Sequence, residues 1–546
     1  MPHSDKSQSL PSENHTPFLS SDNTWWEPLK VKVFRMLWLA WMTSNICMWM
    51  NDVAASWLMT SLSDSPTMVA LVQTASNLPV FLLGLPSGAF ADILNRKKYF
   101  VFTQIWVASN AALLFVLAVG GYLNASILLL LTFINGIGLA MRWPVFAAVV
   151  PDLVPREKLP AALALNGVAM NVSRIVGPLV AGALIAGAGT EYVFALNMIL
   201  SLMCTILIFQ WKYEANVSTL PGERFLGAIR VGLQFVRSSE RLRAVLIRVF
   251  IFFIQTSALL ALIPIIAKQH FNGNAKTFTI MLSCMGVGAI IAATQLPRLR
   301  GRLNRQQLVN MGQTLQGLCS IGIVLSPNLW IAAPLIVLNG MGWITAANSL
   351  SLSAQYALPS WIRARGMSMF QMSLMSGSAL GAALWGKLAS ETNVTTSVIA
   401  GTVFGLASIL FTRRMKLEGG IEEDLTPVCP IEHPMPSREI DPLEGPVMIS
   451  IQYHIEPRRM QEFQDVMKQS RSARLRHGAI SWSLFEDAEK EGMIVEYFVF
   501  ENWADYLRRF DRFTTNDLNL QEERFSFHID KDPPTVTRRV ATTLKE

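Results

Sequence analysis

Apolar residues in this chain come in long blocks, parted by short charged segments. Twelve blocks lie near 35–60, 68–91, 100–120, 126–149, 162–186, 192–211, 245–267, 278–297, 308–326, 329–350, 366–387 and 394–412. Most run to roughly 18 to 25 residues, the length a helix needs to cross the hydrocarbon core of a bilayer. The pattern predicts twelve membrane-spanning helices, with the longest polar gap between the sixth and seventh. The first thirty residues are polar and lack the apolar core and small-residue cleavage site of a signal peptide. Beyond a Pro-rich linker the period changes to two. Val447, Ile449, Ile451 and Tyr453 alternate as in a strand, as do Ile480, Trp482 and Leu484, and Val495, Tyr497 and Val499. Met460, Phe463 and Met467 mark an amphipathic helix, a second helix runs from Trp503 to about Phe525, and Val536 to Val540 form a last strand. The expected organisation is a polar segment 1–33, a six-helix half 34–211, a middle loop 212–244, a second half 245–413, a linker 414–446 and a soluble α+β domain 447–546.

Composition supports a membrane protein. Only 16% of the 546 residues are charged and 51% are hydrophobic, whereas soluble domains carry about 25% charge. The net charge of +7 does not imply nucleic acid, because the basic residues follow the topology. With the N-terminus inside, the short inner loops hold Arg96, Lys97, Lys98, Arg156, Lys158, Arg298, Arg300, Arg302, Arg305, Arg363 and Arg365, while the outer loops show only Lys268, Lys276 and Lys387. This asymmetry places both termini in the cytoplasm. The five cysteines give no disulfide framework.

The chain repeats itself at an offset of 204 residues. Gly84 falls on Gly288, Arg96 on Arg300, Asn135-Gly136-Ile137-Gly138 on Asn339-Gly340-Met341-Gly342, Pro155 on Pro359, Gly177 on Gly381 and Gly182 on Gly386. Two parallel six-helix halves with a binding site between them are the arrangement of many secondary transporters. Asp92, Arg142, Arg174 and Pro178 fall on Leu296, Ala346, Ser378 and Ala382, so the first half holds ionisable groups that the scaffold does not require.

Between the second and third blocks stands Gly88-Ala89-Phe90-Ala91-Asp92-Ile93-Leu94-Asn95-Arg96-Lys97-Lys98. It resembles the loop motif G-x-x-x-D-R-x-G-R-[RK] of the major facilitator superfamily, with Gly88, Asp92, Arg96 and Lys97 at matching places and Ile93 and Asn95 departing from it. The resemblance implies a conformational latch made by these four residues, not a substrate contact. In the fifth block, Ser173-Arg174-Ile175-Val176-Gly177-Pro178-Leu179-Val180-Ala181-Gly182 resembles the antiporter motif G-x-x-x-G-P-x-x-G-G. A Gly-Pro step removes a backbone bond and permits a helix bend, so Gly177, Pro178 and Gly182 are expected to serve alternating access. Trp49-Met50-Asn51-Asp52, Leu78-Pro79-Val80-Phe81-Leu82-Leu83-Gly84 and Pro151-Asp152-Leu153-Val154-Pro155-Arg156 extend the likeness, over about 30–415, to the bacterial branch that includes the enterobactin exporter and macrolide-efflux proteins.

Charges inside membrane spans are costly and mark functional sites. Asp52 is the one carboxylate set well inside a block and is the candidate proton carrier. Arg142 and Arg174 stand at similar depth on neighbouring helices, where they would favour an anionic guest or a carboxylate partner. Asn45, Asn135, Gln255, Asn339 and Gln371 are candidate cavity-lining groups beside Trp49, Trp143 and Trp343, walls that suit a large amphipathic solute.

The tail's βαββαβ order resembles a ferredoxin-like domain of the antibiotic-biosynthesis-monooxygenase type, which implies pairing into homodimers. His454, His477 and Trp482 are its candidate pocket residues, without metal spacing or a nucleophile–base pair. No G-x-x-x-x-G-K-[ST] occurs, which disfavours ATP-driven export. The expectation is an all-α membrane protein of the major facilitator fold with twelve transmembrane helices in two halves, plus an α+β tail. It would sit in a bacterial cytoplasmic membrane, need no cofactor, and export a siderophore, drug or similar amphipathic molecule against protons. Uptake or facilitated diffusion by the same fold, and a membrane-tethered enzyme with a catalytic tail, are the rivals.

Overall fold

The computed structural model describes residues 26–155, 158–211, 225–359, 362–415, 417 and 436–542. The first half holds α1 (Lys32–Leu62), α2 (Pro66–Ile93), α3 (Arg96–Val119), α4 (Ala125–Leu153), α5 (Leu159–Gly187) and α6 (Thr190–Gln210). A short α7 (Phe225–Ser238) precedes the second half. That half holds α8 (Glu240–Leu260), the single turn α9 (Ile263–Ile265), α10 (Ala275–Arg300), α11 (Arg305–Leu325), α12 (Leu329–Tyr356), α13 (Arg363–Glu391) and α14 (Val394–Thr412). Ten helical stretches among the described residues are long and apolar enough to cross a membrane. Helices α1 and α13 are as long but interrupt their apolar runs, α1 with four Trp, Asn45, Asn51 and Asp52, α13 with Gln371 and four serines between 368 and 378. The end where α1 begins is called proximal below, and the opposite end distal.

Asparagine makes the tight turns possible. Asn95, Asn124, Asn274, Asn304, Asn328 and Asn393 each cap the next helix, the side-chain oxygen accepting a backbone N–H of its first turn. That satisfies a donor which the helix itself leaves unpaired. Two expectations change in the middle of the chain. The loop expected over 212–244 contains α7 and the start of α8, and the seventh span does not run unbroken to 267. It stops at Leu260, where Pro264 removes the N–H that would bond back to that residue, and resumes as α9 and a π-helical turn, Ile266–His270.

The tail contains β1 (Val447–His454), α15 (Met460–Arg476), β2 (Ser481–Glu486), β3 (Met493–Phe500), α16 (Trp503–Asp511), α17 (Thr515–Phe525) and β4 (Thr535–Val540). The strands form one antiparallel sheet in the order β2-β3-β1-β4. The helix expected from Trp503 to Phe525 is two helices, because Thr514 and Asp517 form a capping box that starts a new one. In β3 the core-facing residues are Ile494, Glu496, Phe498 and Phe500, not the Val495, Tyr497 and Val499 that the alternation singled out. Both faces of this strand are apolar, so alternation finds the strand without choosing its buried side. The tail docks on α7: Arg230 pairs with Glu501, and Gln234 Nε2 donates to the Ala479 carbonyl at 3.3 Å. Phe235 of α7 packs in turn with Leu242, Leu358 and Ile362 of the second half.

Candidate functional site

The two halves share their largest common core at the distal end. There Met50, Val53, Ala181 and Phe194 pack in a single cluster with Leu259, Phe278, Met281 and Ala382. At the proximal end each half has its own core, built around Trp41, Phe100 and Phe146 in the first and Val249, Phe252 and Leu350 in the second. The core common to both halves thus lies at the distal end, and α2 and α13 stay in contact inward as far as Gly84, where an added Cβ would lie 3.1 Å from Met372.

Hydrogen bonds draw the distal seam. Thr67 Oγ1 lies 2.7 Å from Ser390 Oγ, Thr74 Oγ1 donates to the Ala379 carbonyl at 2.9 Å, and Gln73 and Asn77 donate to Ser378 Oγ at 2.6 and 3.0 Å, all between α2 and α13. Between α5 and α10, Thr279 Oγ1 donates to the Gly182 carbonyl at 2.8 Å. Lys268 Nζ donates to the Thr60 carbonyl, and Trp57 stacks on Phe278 at 5.1 Å. The antiporter-like motif thus makes two close approaches. A Cβ on Gly177 would lie 2.5 Å from Trp49 Cβ on α1, and one on Gly182 would lie 2.8 Å from Thr279 on α10. Pro178 stands inside α5, which continues through it.

Three expected site residues are half-buried, and one of them, Arg174, touches both halves. Asp52 is half-buried and accepts a hydrogen bond from Ser76 Oγ of α2 at 2.8 Å. Arg174 is half-buried, its guanidinium 5.5 Å from the Trp49 ring and 4.9 Å from the Trp343 ring, one Trp from each half. Gln371 is half-buried on α13.

The others lie within single halves. Arg142 is 1% exposed and donates at 3.3 Å to the Ser44 carbonyl and to Asn45 Oδ1, over the Trp41 ring at 5.3 Å. Arg142 and Arg174 share no partner, and the structure does not bring them into one site. Asn45 donates to the Trp41 carbonyl at 2.8 Å, and Trp143 meets Trp41 edge-on within the same proximal core. In the second half Gln255 is bonded to Gln313 and Gln316 at 2.9 Å, and Asn339 to Ser320 Oγ at 2.9 Å and the Gln316 carbonyl at 2.8 Å. These buried amides tie α8, α11 and α12 together. Asn135 is 4% exposed on α4. Pairing of this kind is what polar groups in a helix bundle need where no water can reach them.

At the loop motif, Gly88 lets α2 lie against Pro144 of α4, and Lys97 Nζ sits over Phe209 at 5.9 Å. Arg96 begins α3, and the Asp92 side chain lies outside the described residues. Asn95, where the motif has Gly, is the N-cap of α3, its oxygen 3.1 Å from the Lys98 N–H. Ser378, Gln73 and Thr279 were not singled out from the sequence. The signal available was the i,i+4 spacing of Gln73 and Asn77 on one face of α2.

In the tail, Glu496 is fully buried and accepts from Arg474 Nε at 3.0 Å, Trp482 Nε1 at 2.9 Å, Tyr453 Oη at 3.1 Å and Arg524 Nη1 at 3.4 Å. Burial pushes its carboxyl up, but Arg474 and Arg524 outweigh that and hold it at about 2. His477 Nε2 lies 3.2 Å from Asp517, and burial lowers the imidazole's pKa against the pull of that carboxylate. His454 pairs instead with Asp530 at 2.9 Å. The cavity beside His477 measures about 10 Å³, room for one water and not for a substrate. No group of three or more potential metal ligands occurs among the described residues.

Comparison with known proteins adds relatives. The staphyloferrin A transporter of Staphylococcus aureus is 20% identical over 280 residues, 50% of this chain and 70% of that protein. Macrolide efflux protein A of Streptococcus pyogenes is 23% identical over 266 residues, 48% of this chain and 65% of its own. The enterobactin exporter EntS of Salmonella typhi is 25% identical over 386 residues, 69% and 90% of the two chains. In fold, the chain is similar to a bacterial homologue of the human lysosomal transporter Spinster, with TM-score 0.56 at 15% identity over 72% of this chain and 98% of that one. The relatives are transporters, which removes the tethered-enzyme rival. Residues 23–545 match the model of the transmembrane secretion effectors, and the chain belongs to that family of multi-pass major facilitator transporters.

Proposed function

We propose that this transporter exports a siderophore-like, drug-like or similarly amphipathic small molecule from the cytoplasm of a bacterium, in exchange for protons. The observation that carries the reading is the pair of separate proximal cores beside one shared distal core, with Arg174 held between a Trp of each half. A cleft closed at one end and open at the other is one state of an alternating-access cycle, and rocking the halves about the centre gives the other. The basic proximal loops orient this end to the cytoplasm, so the state is inward-open and both termini are cytoplasmic. On this reading all twelve long helices span the bilayer, including the polar α1 and α13 whose faces line the centre and the seam. The exporters of siderophores and macrolides among the relatives support the direction and the cargo class.

Asp52 is the proposed proton carrier. Its Ser76 partner can donate to the carboxylate or accept from the acid, so the side chain stays bonded in both protonation states. Gly88, Asp92, Arg96 and Lys97 are the proposed latch of the outward-open state, and Gly177, Pro178 and Gly182 the pivot of α5. The sheet order β2-β3-β1-β4 supports a ferredoxin-like tail that pairs with a second copy. The deciding experiment is transport into everted membrane vesicles. Asp52→Asn is expected to abolish the dependence of uptake on ΔpH while leaving substrate binding. Coupling unchanged in that variant would remove Asp52 from the mechanism, and accumulation in right-side-out vesicles instead would reverse the direction.

A further inference from the structure

The centre of the molecule holds a group of hydrogen-bond donors that find no acceptor among the described residues. Arg174 Nε, Trp49 Nε1 and Trp343 Nε1 are all buried, and none has a partner there. Arg174 has no hydrogen bond or ion pair with any described residue, and Asp52 is bonded to Ser76 instead. Its contacts are with the two indole rings, at 5.5 and 4.9 Å. These distances lie within the cation–π range of about 6 Å, and such contacts leave the in-plane N–H groups of the guanidinium unbonded. Arg142 shows the contrast. Its Nε is unpaired too, but its Nη1 and Nη2 donate to carbonyl and amide oxygens of α1, whereas Arg174 has no bond from any of its nitrogens to a described residue.

A charge held between helices without a counter-ion is costly, and so is each buried donor left unmade, at roughly 1–3 kcal/mol. Such an arrangement persists in a functional cleft when a ligand completes it. The missing partner has to bring acceptor oxygens with negative charge. It must also have an apolar or aromatic body, since the guanidinium sits between the indole rings of Trp49 and Trp343.

We propose that the cargo is an organic anion, a carboxylate or phenolate on a flat apolar body, and that Arg174 between Trp49 and Trp343 is its anchor. This rests on the reading of the chain as an exporter. Trp49 and Arg174 belong to the first half and Trp343 to the second, so an anion bound there touches both moving bodies. Loading also neutralises Arg174 before the proximal cores close over it, which lowers the cost of enclosing that charge. The empty carrier keeps the uncompensated cost, so transit is favoured for the loaded form.

The test uses the full-length protein in phosphatidylcholine nanodiscs with 1-naphthoate and 1-naphthamide, which match in size and ring but differ in charge. Titration calorimetry is expected to show naphthoate binding at least about tenfold tighter than naphthamide, the size of effect a charge-assisted hydrogen bond gives. Arg174→Gln should bring the ratio close to one, and Arg174→Lys should keep a preference for the anion. Equal affinities in the unmodified protein, or an unchanged ratio in Arg174→Gln, would overturn the proposal, and the first comparison needs no variant to fold. Naphthoate binding lost when phosphatidylglycerol is added to the nanodiscs would assign the anchor to a lipid headgroup and overturn it too. Export at equal rates for acid and amide sinks this inference alone. Naphthoate binding with no ΔpH-driven transport in vesicles sinks the exporter reading and leaves the anchor standing.

Discussion

Gly182 is the position at which one methyl group should move the whole conformational equilibrium. A Cβ there would sit 2.8 Å from both Cγ2 and Oγ1 of Thr279 and 3.1 Å from its Cβ. Thr279 is short and cannot swing away, and it would also give up its 2.8 Å bond to the Gly182 carbonyl. Overpacking of this kind costs about 1–3 kcal/mol. The contact joins α5 to α10 across the distal seam, so the cost falls only on the state in which that seam is closed. The gain in helix propensity from Gly to Ala applies to both states and cancels. Gly182→Ala should therefore shift the ratio of distally open to distally closed molecules by about five- to 150-fold. Spin labels at exposed positions 122 and 330, on distal turns of opposite halves, report the change as a longer component in double electron–electron resonance. Thr279→Ala in the same chain should restore the short distance, because it removes both colliding atoms. A distribution unchanged by Gly182→Ala, or a shift that Thr279→Ala does not reverse, would refute the reasoning.

The buried Glu496 predicts an acid-sensitive tail. Its carboxyl lies at about 2 against an ordinary 4.5, a depressed folded value, so the pairing with Arg474 and Arg524 is fully present above pH 4.5 and is lost as pH falls through about 2. The difference corresponds to about 3 kcal/mol. Hydrogen exchange of β3, corrected for intrinsic rates, should show protection falling across that window. Glu496→Gln should lower protection already at pH 7 by leaving two guanidinium groups uncompensated, and equal protection in both proteins would refute the account. The helix-free sheet face carries Val495 and Tyr497, with Phe485 55% exposed and stacked on Tyr497 at 5.5 Å. If this face pairs two copies, Phe485→Glu should convert the dimer seen by light scattering to monomer, and a monomeric unmodified protein would end the pairing proposal.

The linear pattern alone determined much of the architecture. Block length located the twelve long helices, because helix rise against bilayer thickness leaves little freedom. The offset of 204 paired the glycines that became close contacts, such as Gly182 against Thr279 and Gly386 against Ala70. Strand positions in the tail were legible from period two. Only the tertiary structure decided which way each polar side chain faces. A membrane helix is apolar toward lipid and largely apolar toward its neighbours, so its periodicity does not separate a cleft-facing residue from a sealed one. Asn45, Gln255, Asn339 and Arg142 look the same in sequence as Asp52 and Arg174, yet partners on adjacent helices close the first four inside single halves and leave Arg174 between two Trp rings at the centre. The same holds for β3, where Arg474 and Arg524, distant in sequence, let a carboxylate occupy the core and so fixed which face of the strand is buried.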